Sequence, residues 1–488
     1  MRILLVAHAF PPDAIGGTER YAEAIGHGLM HRGHEVRVFC GSLEWRERFA
    51  VEREERDGLT VTRVHRHDLY FDHWDKLSNP HVANAFEDEL DLFRPDVLHL
   101  QHWIRLTHDL VRRAAARSIP TLVHLHDLFA SCPRVFRLRP ARAAGAGSDE
   151  LEFCEQAFVN DACRPCVPRW TFQSDGEIDR SLDHYRRSVQ DELAAATARL
   201  ALSASQRREV MRFSPRPDLD YEVLQHPWIP GAVDLAGTDA HSPAGRLRLL
   251  YFSSVAPIKG THVLLEALRR LGADGRSSGV SLDVHGAFAN PAYEARLREL
   301  AAGLEVRFHG PYARNEPCRT PADVVVISSL AHETWSLWLD EAARTGLPIL
   351  AAASGAIAER ATGRMRLYPA ADAGALATAI AELRDDPLRR HVLAAAPAPT
   401  SMTLEAHLVA LEMRLEAVRR KGARATVVRM ERPSAEWIHE WERRELAFRE
   451  LLRSEGWERV LGEQHAQLER LKSELAQARA ADGGNERA

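Results

Sequence analysis

Short apolar runs alternate with amphipathic helical stretches along this chain, and that alternation constrains its fold more than any other feature. Residues 3–7 read as a strand. A helix follows with Tyr21, Ala24, Ile25, Gly28 and Leu29 at helical spacing, and residues 35–40 form the next strand. Strands at 61–64, 96–100 and 121–125 are separated by helical stretches at 80–93 and 106–117. A helix near 178–198, a strand over 199–203 and a last strand at 222–224 complete the first half. Pro227, Pro230, Gly231, Gly237, Pro243 and Gly245 then crowd residues 225–246, where a linker is expected. The alternation restarts with strands at 247–252, 280–285 and 306–310, interleaved with helical stretches. Such units build parallel sheets buried on both faces. The pattern predicts an α/β chain of two domains: residues 1–225, a linker over 226–246, then 247–420.

Composition agrees with a soluble globular protein: of 488 residues, 45% are hydrophobic and 27% charged. A net charge of −5 gives no global field that would draw the chain to nucleic acid. Residues 3–7 are too short for a secretory apolar core, and no stretch has the length of a membrane span. The expectation is a cytoplasmic protein, where cysteines are free or metal-bound rather than paired.

In open parallel sheets, ligands bind at the carboxyl ends of the strands. Residues 332–348, His-Glu-Thr-Trp-Ser-Leu-Trp-Leu-Asp-Glu-Ala-Ala-Arg-Thr-Gly-Leu-Pro, lie between strands expected at 322–329 and 349–352. Glu333 falls in the loop and Glu341 in the helix, which stops at Gly346 and Pro348. The helix start at Ser336 and Leu337 offers N–H groups and a positive dipole end suited to a phosphate. Glu341 is placed to reach the hydroxyls of an attached ribose. An amphipathic helix with its glutamates in water fits the same pattern. Gly16-Gly17 precede the first helix, where residues without side chains admit a ligand oxygen, although a plain tight turn also fits. His126-Asp127 stand just past a strand end. His126 can share a proton there, held by the neighbouring carboxylate, or be a surface-loop histidine in a chain with 24 of them. Lys259 sits between a strand end and a helix start, where a point charge clamps a phosphate. Lysine is otherwise confined to Lys76, Lys421 and Lys472.

Residues 131–170 break the alternation and hold Cys132, Cys154, Cys163 and Cys166, four of the six cysteines. An excursion with so little core needs a staple, and four thiolates suit a structural zinc ion or an iron–sulfur cluster; free thiols are the alternative. The mix of Arg134, Val135, Phe136, Arg137, Leu138, Arg139 and Arg142 suits a solvated loop first, and also peripheral contact with anionic lipid or a phosphate-bearing acceptor.

Taken together, these residues resemble the retaining glycosyltransferases of family 4, the group 1 glycosyl transferases of GT-B fold, over roughly residues 1–415. Phe10-Pro11-Pro12 to Gly16-Gly17-Thr18-Glu19 is similar to that family's N-terminal glycine loop. Pro257-Ile258-Lys259-Gly260 is similar to its donor-phosphate lysine, Glu333 to Glu341 to its paired glutamates, and Ala353-Ser354-Gly355-Ala356-Ile357-Ala358-Glu359 to the segment that follows. His126-Asp127 with Cys132-Pro133-Arg134 is similar to a subgroup carrying a cysteine-containing insertion.

The resemblance implies two facing Rossmann-like domains, acceptor side first and nucleotide-sugar side second. It implies retaining, metal-independent transfer from a UDP- or GDP-linked sugar to a glycan, lipid-linked or other acceptor, as in polysaccharide or cell-envelope synthesis. Lys259 would neutralise the leaving diphosphate and Glu341 hold the ribose. Glu333 and His126 would contact the transferred sugar, and Gly16, Gly17, Ser336 and Leu337 would approach the diphosphate. The position five residues before the lysine, an arginine in many members, is Ser254 here. A sugar-nucleotide epimerase or hydrolase of the same fold, and a binding protein on a transferase frame, stand as alternatives.

Beyond Pro433 the chain is highly charged, and residues 434–480 read as a helical extension outside the resemblance. Leu461, Leu468, Leu471 and Leu475 approach heptad spacing over a short span. A helical hairpin on the domain and a weak self-association contact both fit.

Overall fold

Ile3, Leu5 and Ala7 face one core and Leu4 and Val6 another, and all five are fully buried. A strand with two buried faces needs helices on both sides, which is the doubly wound solution. A computed structural model describes residues 1–13, 16–46, 48–67, 73–140, 151–170, 173–214, 216, 218–229, 242–273, 279–311, 320–424 and 430–454. Most of the expected linker, Arg142, Cys318 and the late leucines lie outside the described residues.

The first sheet contains β1 (Arg2–Ala7), β2 (Glu35–Trp45), β3 (Val51–Arg56), β4 (Leu59–Arg66), β5 (Val97–Leu100) and β6 (Thr121–Leu125). The excursion carries β7 (Leu138–Pro140) and β8 (Leu151–Phe153), which pair only with each other. β9 (Ala198–Ala201) and β10 (Glu222–Val223) complete the sheet, in the order β10-β9-β6-β5-β1-β2-β4-β3. All its neighbours are parallel except β3, which runs antiparallel to β4. The alternation gave no sign of β3, because Val-Glu-Arg-Glu-Glu-Arg is a mostly exposed edge strand with no apolar face to mark it.

The second sheet contains β11 (Leu247–Phe252), β12 (Val280–His285), β13 (Glu305–Gly310), β14 (Val324–Ile327), β15 (Ile349–Ala353) and β16 (Met365–Pro369). It is parallel throughout, in the order β13-β12-β11-β14-β15-β16. Together the two sheets give the expected α/β architecture of two Rossmann-like domains.

One boundary differs from the sequence reading. The helix Leu404–Lys421, expected with the second domain, packs on the first. Its Leu408, Leu411, Leu415 and Val418 join the core that holds Ile3, Leu5, Ile25 and Leu29. Leu408 nests against Gly28, where an added Cβ would stand 2.5 Å from Leu408 Cδ1. Tyr21 Oη is hydrogen-bonded to His407 Nε2 (2.9 Å) and His124 Nδ1 (3.1 Å), stitching the helix to the first sheet. The second crossing lies beside the first, with Trp228 N–H donating to the Met402 carbonyl (2.9 Å). An apolar helical face carries no address, so its partner was invisible in the spacing.

The extension begins as a helix, Ala435–Ser454, that also lies on the first domain. Trp441 Nε1 donates to the Ser78 carbonyl (3.3 Å) and His81 Nε2 to Glu442 Oε1 (3.1 Å). No helix among the described residues is long and apolar enough to cross a membrane.

Candidate active site

Strand order reverses around β11, which lies between β12 and β14, and around β1, which lies between β2 and β5. Such switch points open crevices at the carboxyl ends of the strands. Lys259 follows β11 through a single 3-10 turn, Pro257–Lys259, closed by Gly260 at φ +69°. A Cβ on Gly260 would stand 2.0 Å from the Ser328 carbonyl oxygen, so only glycine lets this turn lie against the end of β14. Lys259 Nζ donates to Glu333 Oε1 (2.8 Å), and Ser329 Oγ donates to the same oxygen (2.6 Å). Ala356 N–H holds the Glu333 carbonyl (2.7 Å), and Gly355, at φ +52°, leaves room for it. Burial opposes the charge on Glu333. The Lys259 ammonium and the hydrogen bonds from Lys259 and Ser329 outweigh it and hold the carboxyl below its ordinary range. The result is a buried, ionised, fixed pair.

Ser336, at φ +74°, caps the helix Leu337–Arg344, its Oγ accepting from Leu339 N–H (3.3 Å). Glu341 rises from this helix toward the first domain, where Arg20 Nη1 lies 3.6 Å from its Oε1. Burial pushes the Glu341 carboxyl up to about 7, with Arg20 pulling against it and Asp340 adding to it. Asp340 instead has a structural role, accepting from Trp335 Nε1 (2.8 Å) and pairing with Arg360.

The opposite wall comes from the ends of β1, β5 and β6. Gly16 is the N-cap of the helix Gly17–His31, and a Cβ on Gly17 would meet Leu337 Cδ1 at 3.2 Å. His126 Nε2 donates to Gln101 Oε1 (2.6 Å), with its ring against Tyr21 at 4.9 Å. Burial, reinforced by neighbouring histidines, holds His126 well below its ordinary value, so its imidazole is neutral. The expectation that Asp127 holds His126 is not met. Asp127 accepts from His102 Nε2 (3.0 Å) and from Phe129 N–H (2.8 Å), because consecutive residues leaving a strand point apart. His8 Nε2 donates to Glu19 Oε1 at 3.0 Å, and its ring lies 5.0 Å from His102.

The walls touch. Thr334 Oγ1 donates to the His126 carbonyl (2.6 Å), Ser205 Oγ is hydrogen-bonded to His332 Nε2 (3.0 Å), and Glu359 accepts from Ser205 N–H (2.6 Å). A pocket of about 50 Å³ remains, lined by His126, Asp127, Phe136, Lys259, Glu333 and Thr334. Ligand pockets are ~300–1,000 Å³, so this pocket by itself is too small for a substrate of nucleotide size.

Two family models match the chain: Glycosyltransferase Family 4 over residues 15–218, and Glycosyl transferases group 1 over residues 246–386. One covers each wall of the cleft. The chain belongs to the family 4 glycosyltransferases. Solved structures agree on the fold. Sucrose-phosphate synthase from Thermosynechococcus elongatus superposes with a TM-score of 0.59 at 17% identity, covering 86% of this chain and 98% of that one. Anabaena HepE, solved with UDP and glucose, gives 0.54 at 17% identity, covering 86% and 100%. A UDP-forming trehalose-phosphate synthase from Burkholderia xenovorans gives 0.56 at 13% identity, covering 86% and 99%. No curated protein matches the sequence.

In this glycosyltransferase the structure gathers Gly16, Gly17, His126, Lys259, Glu333, Ser336, Leu337 and Glu341 around one cleft. Sequence reasoning missed Arg20, Gln101, His102, Ser329 and Thr334. Arg20 and Thr334 lie within or beside the motifs, and Gln101 and His102 directly follow a strand end. Strand-end position was the available signal, but which of these polar residues face the cleft depends on packing.

The glycosyltransferase's cysteine excursion abuts the same cleft. Cys132, Cys154, Cys163 and Cys166 all line one pocket of about 20 Å³, and none is in a disulfide. Burial pushes the Cys163 thiol up to about 12 and Cys166 up to about 11. Among the described residues, no group of three His, Cys, Asp or Glu is already set to hold a metal ion. The arginines offered for lipid, acceptor phosphate or solvent are engaged within the loop. Arg134 Nη1 donates to the Cys166 carbonyl (2.8 Å), Arg137 is buried, and Arg139 pairs with Glu152 (2.6 Å).

Proposed function

We propose that this glycosyltransferase moves a sugar from a nucleoside diphosphate donor to a glycan or lipid-linked acceptor, without a catalytic metal and with retention of anomeric configuration. The observation that carries this reading is the fixed Lys259–Glu333 pair at one switch point, facing the Gly16-Gly17 helix start at the other. In the open cleft Lys259 turns from Glu333 to the donor diphosphate and neutralises the charge that grows as the C1–O bond breaks. Helix N-termini at Gly17 and Leu337 add dipoles to the same group. Glu333, released by the lysine, accepts from hydroxyls of the transferred sugar, and Glu341 exchanges Arg20 for the ribose. His126, neutral and held by Gln101, hydrogen-bonds the sugar from the other wall. The acceptor oxygen bonds C1 on the face that the diphosphate leaves, and its proton passes to the departing phosphate oxygen. Closure of the walls excludes water from the separated pair.

UDP- and GDP-linked sugars are the donors proposed; UDP has the added support of two fold neighbours, one solved with UDP and glucose and one UDP-forming. A thermal-shift screen of UDP-, GDP- and dTDP-sugars tests this, since a ligand of the folded state raises the melting temperature. The binding donor is then incubated with candidate acceptors and the product anomer read by NMR. An inverted product, or an epimer formed from donor alone, removes the reading.

A further inference from the structure

The cysteine excursion encloses little core of its own, lending Leu138, Phe158 and Val167 to the neighbouring cores. Among the described residues between β6 and the helix Asp175–Ala195 there are a 3-10 turn, Phe129–Ser131, two three-residue strands and a one-turn helix, Asn160–Cys163. Apolar burial alone does not hold so irregular a segment. Its four cysteines nevertheless line one small pocket with mostly apolar walls. The turns that carry them are closed by backbone hydrogen bonds. Val135 N–H donates to the Cys132 carbonyl (2.9 Å), and Cys166 and Val167 N–H donate to the Cys163 carbonyl (2.9 and 3.0 Å). Cys163-Arg-Pro-Cys166 is thus a knuckle that brings two thiols to the pocket from one turn, with Cys132 and Cys154 supplied from other turns.

Charge supplies an independent observation. Arg137 is 2% exposed. Its guanidinium donates to the carbonyls of Ser131 (3.2 Å), Cys154 (2.7 Å) and Gln156 (2.5 Å) and lies over the Phe213 ring, and among the described residues it forms no ion pair with a carboxylate. Arg134 is tied to the Cys166 carbonyl, and Arg139 lies on the adjoining strand. Glu209 acts on this guanidinium only from beyond ion-pair distance, and a buried cation with no anion in contact is costly. Four thiolates around a divalent ion carry a net charge of roughly −2, which would add an anion within the loop itself.

We propose that Cys132, Cys154, Cys163 and Cys166 hold a structural zinc ion that fixes the excursion against the cleft. Zinc suits a closed, four-thiolate, tetrahedral site with no open position for chemistry. The four cysteines line the pocket, and Zn–S bonds of about 2.3 Å would draw their thiols together. Each gives up its proton to solvent on binding. The same loop presents Val135 and Phe136 to the pocket that holds Lys259 and Glu333, so the ion sets the position of one cleft wall. The metal site stands independently of the proposed transfer; only its effect on the cleft rests on that reading.

The test uses the full-length protein purified without added metal. Elemental analysis should find about one zinc per chain in a colourless protein, released as four thiols are titrated by an organomercurial. Cobalt exchanged into the wild-type chain should give the intense visible bands of tetrahedral thiolate ligation, a readout that needs no variant to fold. Cys154→Ser and Cys163→Ser should lose the zinc, whereas Cys40→Ser should keep it. Protein that carries no zinc and takes up neither zinc nor cobalt overturns the proposal. So does a disulfide among the four, or a brown chromophore with inorganic sulfide. If zinc is present but its removal by chelator leaves donor KM unchanged, the site stands and its coupling to the cleft falls.

Discussion

The two walls of the cleft are built on the same strand–helix plan and solve different problems. The wall from the second domain is mostly backbone: Gly260 and Gly355 in left-handed turns, a helix start at Ser336, and a few charges fixed within hydrogen-bond reach of one another. The wall from the first domain is mostly side chains: His8, Gln101, His102 and His126, with the cysteine excursion beside them. A backbone cradle suits a ligand part that never varies, such as a diphosphate. A side-chain wall can be re-cut for a different acceptor without disturbing the turns beneath it.

The sharpest way to break that comparison is to remove the charge at the centre of the backbone wall. Lys259→Ala should lower kcat by ~10²–10³, the usual loss for a group that stabilises leaving-group charge, and should also lower the melting temperature, because Glu333 is left buried without its partner. Near-normal turnover with a cognate donor would show that the diphosphate is met elsewhere. Next in size is Gly260→Ala, which places a Cβ 2.0 Å from the Ser328 oxygen at φ +69°. The left-handed conformation alone costs about 1–2 kcal/mol, and denaturant titration should show at least that loss. A neutral result would mean that the turn need not lie against β14.

A smaller effect concerns Glu341, whose carboxyl burial raises from 4.5 to about 7. A raised acid favours the closed cleft while protonated; that contribution is complete below about pH 4.5 and is lost as pH rises through about 7. Ribose hydroxyls donate to the ionised carboxylate, so donor KM should fall over the same rise in pH. Glu341→Gln should flatten the KM profile measured between about pH 5.5 and 8. An unchanged slope would place the titrating group elsewhere. The smallest effect expected is on the side-chain wall. His102→Ala removes the partner of Asp127 and should raise acceptor KM severalfold while leaving donor KM alone. A change confined to the donor would erase the division of labour between the walls.

The two walls were also unequally legible. Lys259, Glu333 and Glu341 were readable because a backbone cradle is made by consecutive residues, and the turn, cap and charge of each motif lie within a few positions. The side-chain wall draws on the ends of three strands, so His126 could be noticed while its partner was misassigned. Asp127 is its neighbour in sequence, yet Gln101 is its neighbour in space. The basic residues of the excursion were misread for a similar reason. Arg137 looks like surface charge in sequence, but it is folded under and bound to carbonyls of its own loop.

The sequence alone determined the α/β class, the repetition of the strand–helix plan, and the placement of the motifs at strand ends. Period and turn chemistry act over a few residues and are printed in order along the chain. Only the tertiary structure decided that Leu404–Lys421 returns to the first domain, that Arg20 meets Glu341 across the cleft, and that the four cysteines line one pocket. Those contacts join residues far apart in the chain, through apolar faces and single charges that fit many partners until packing selects one.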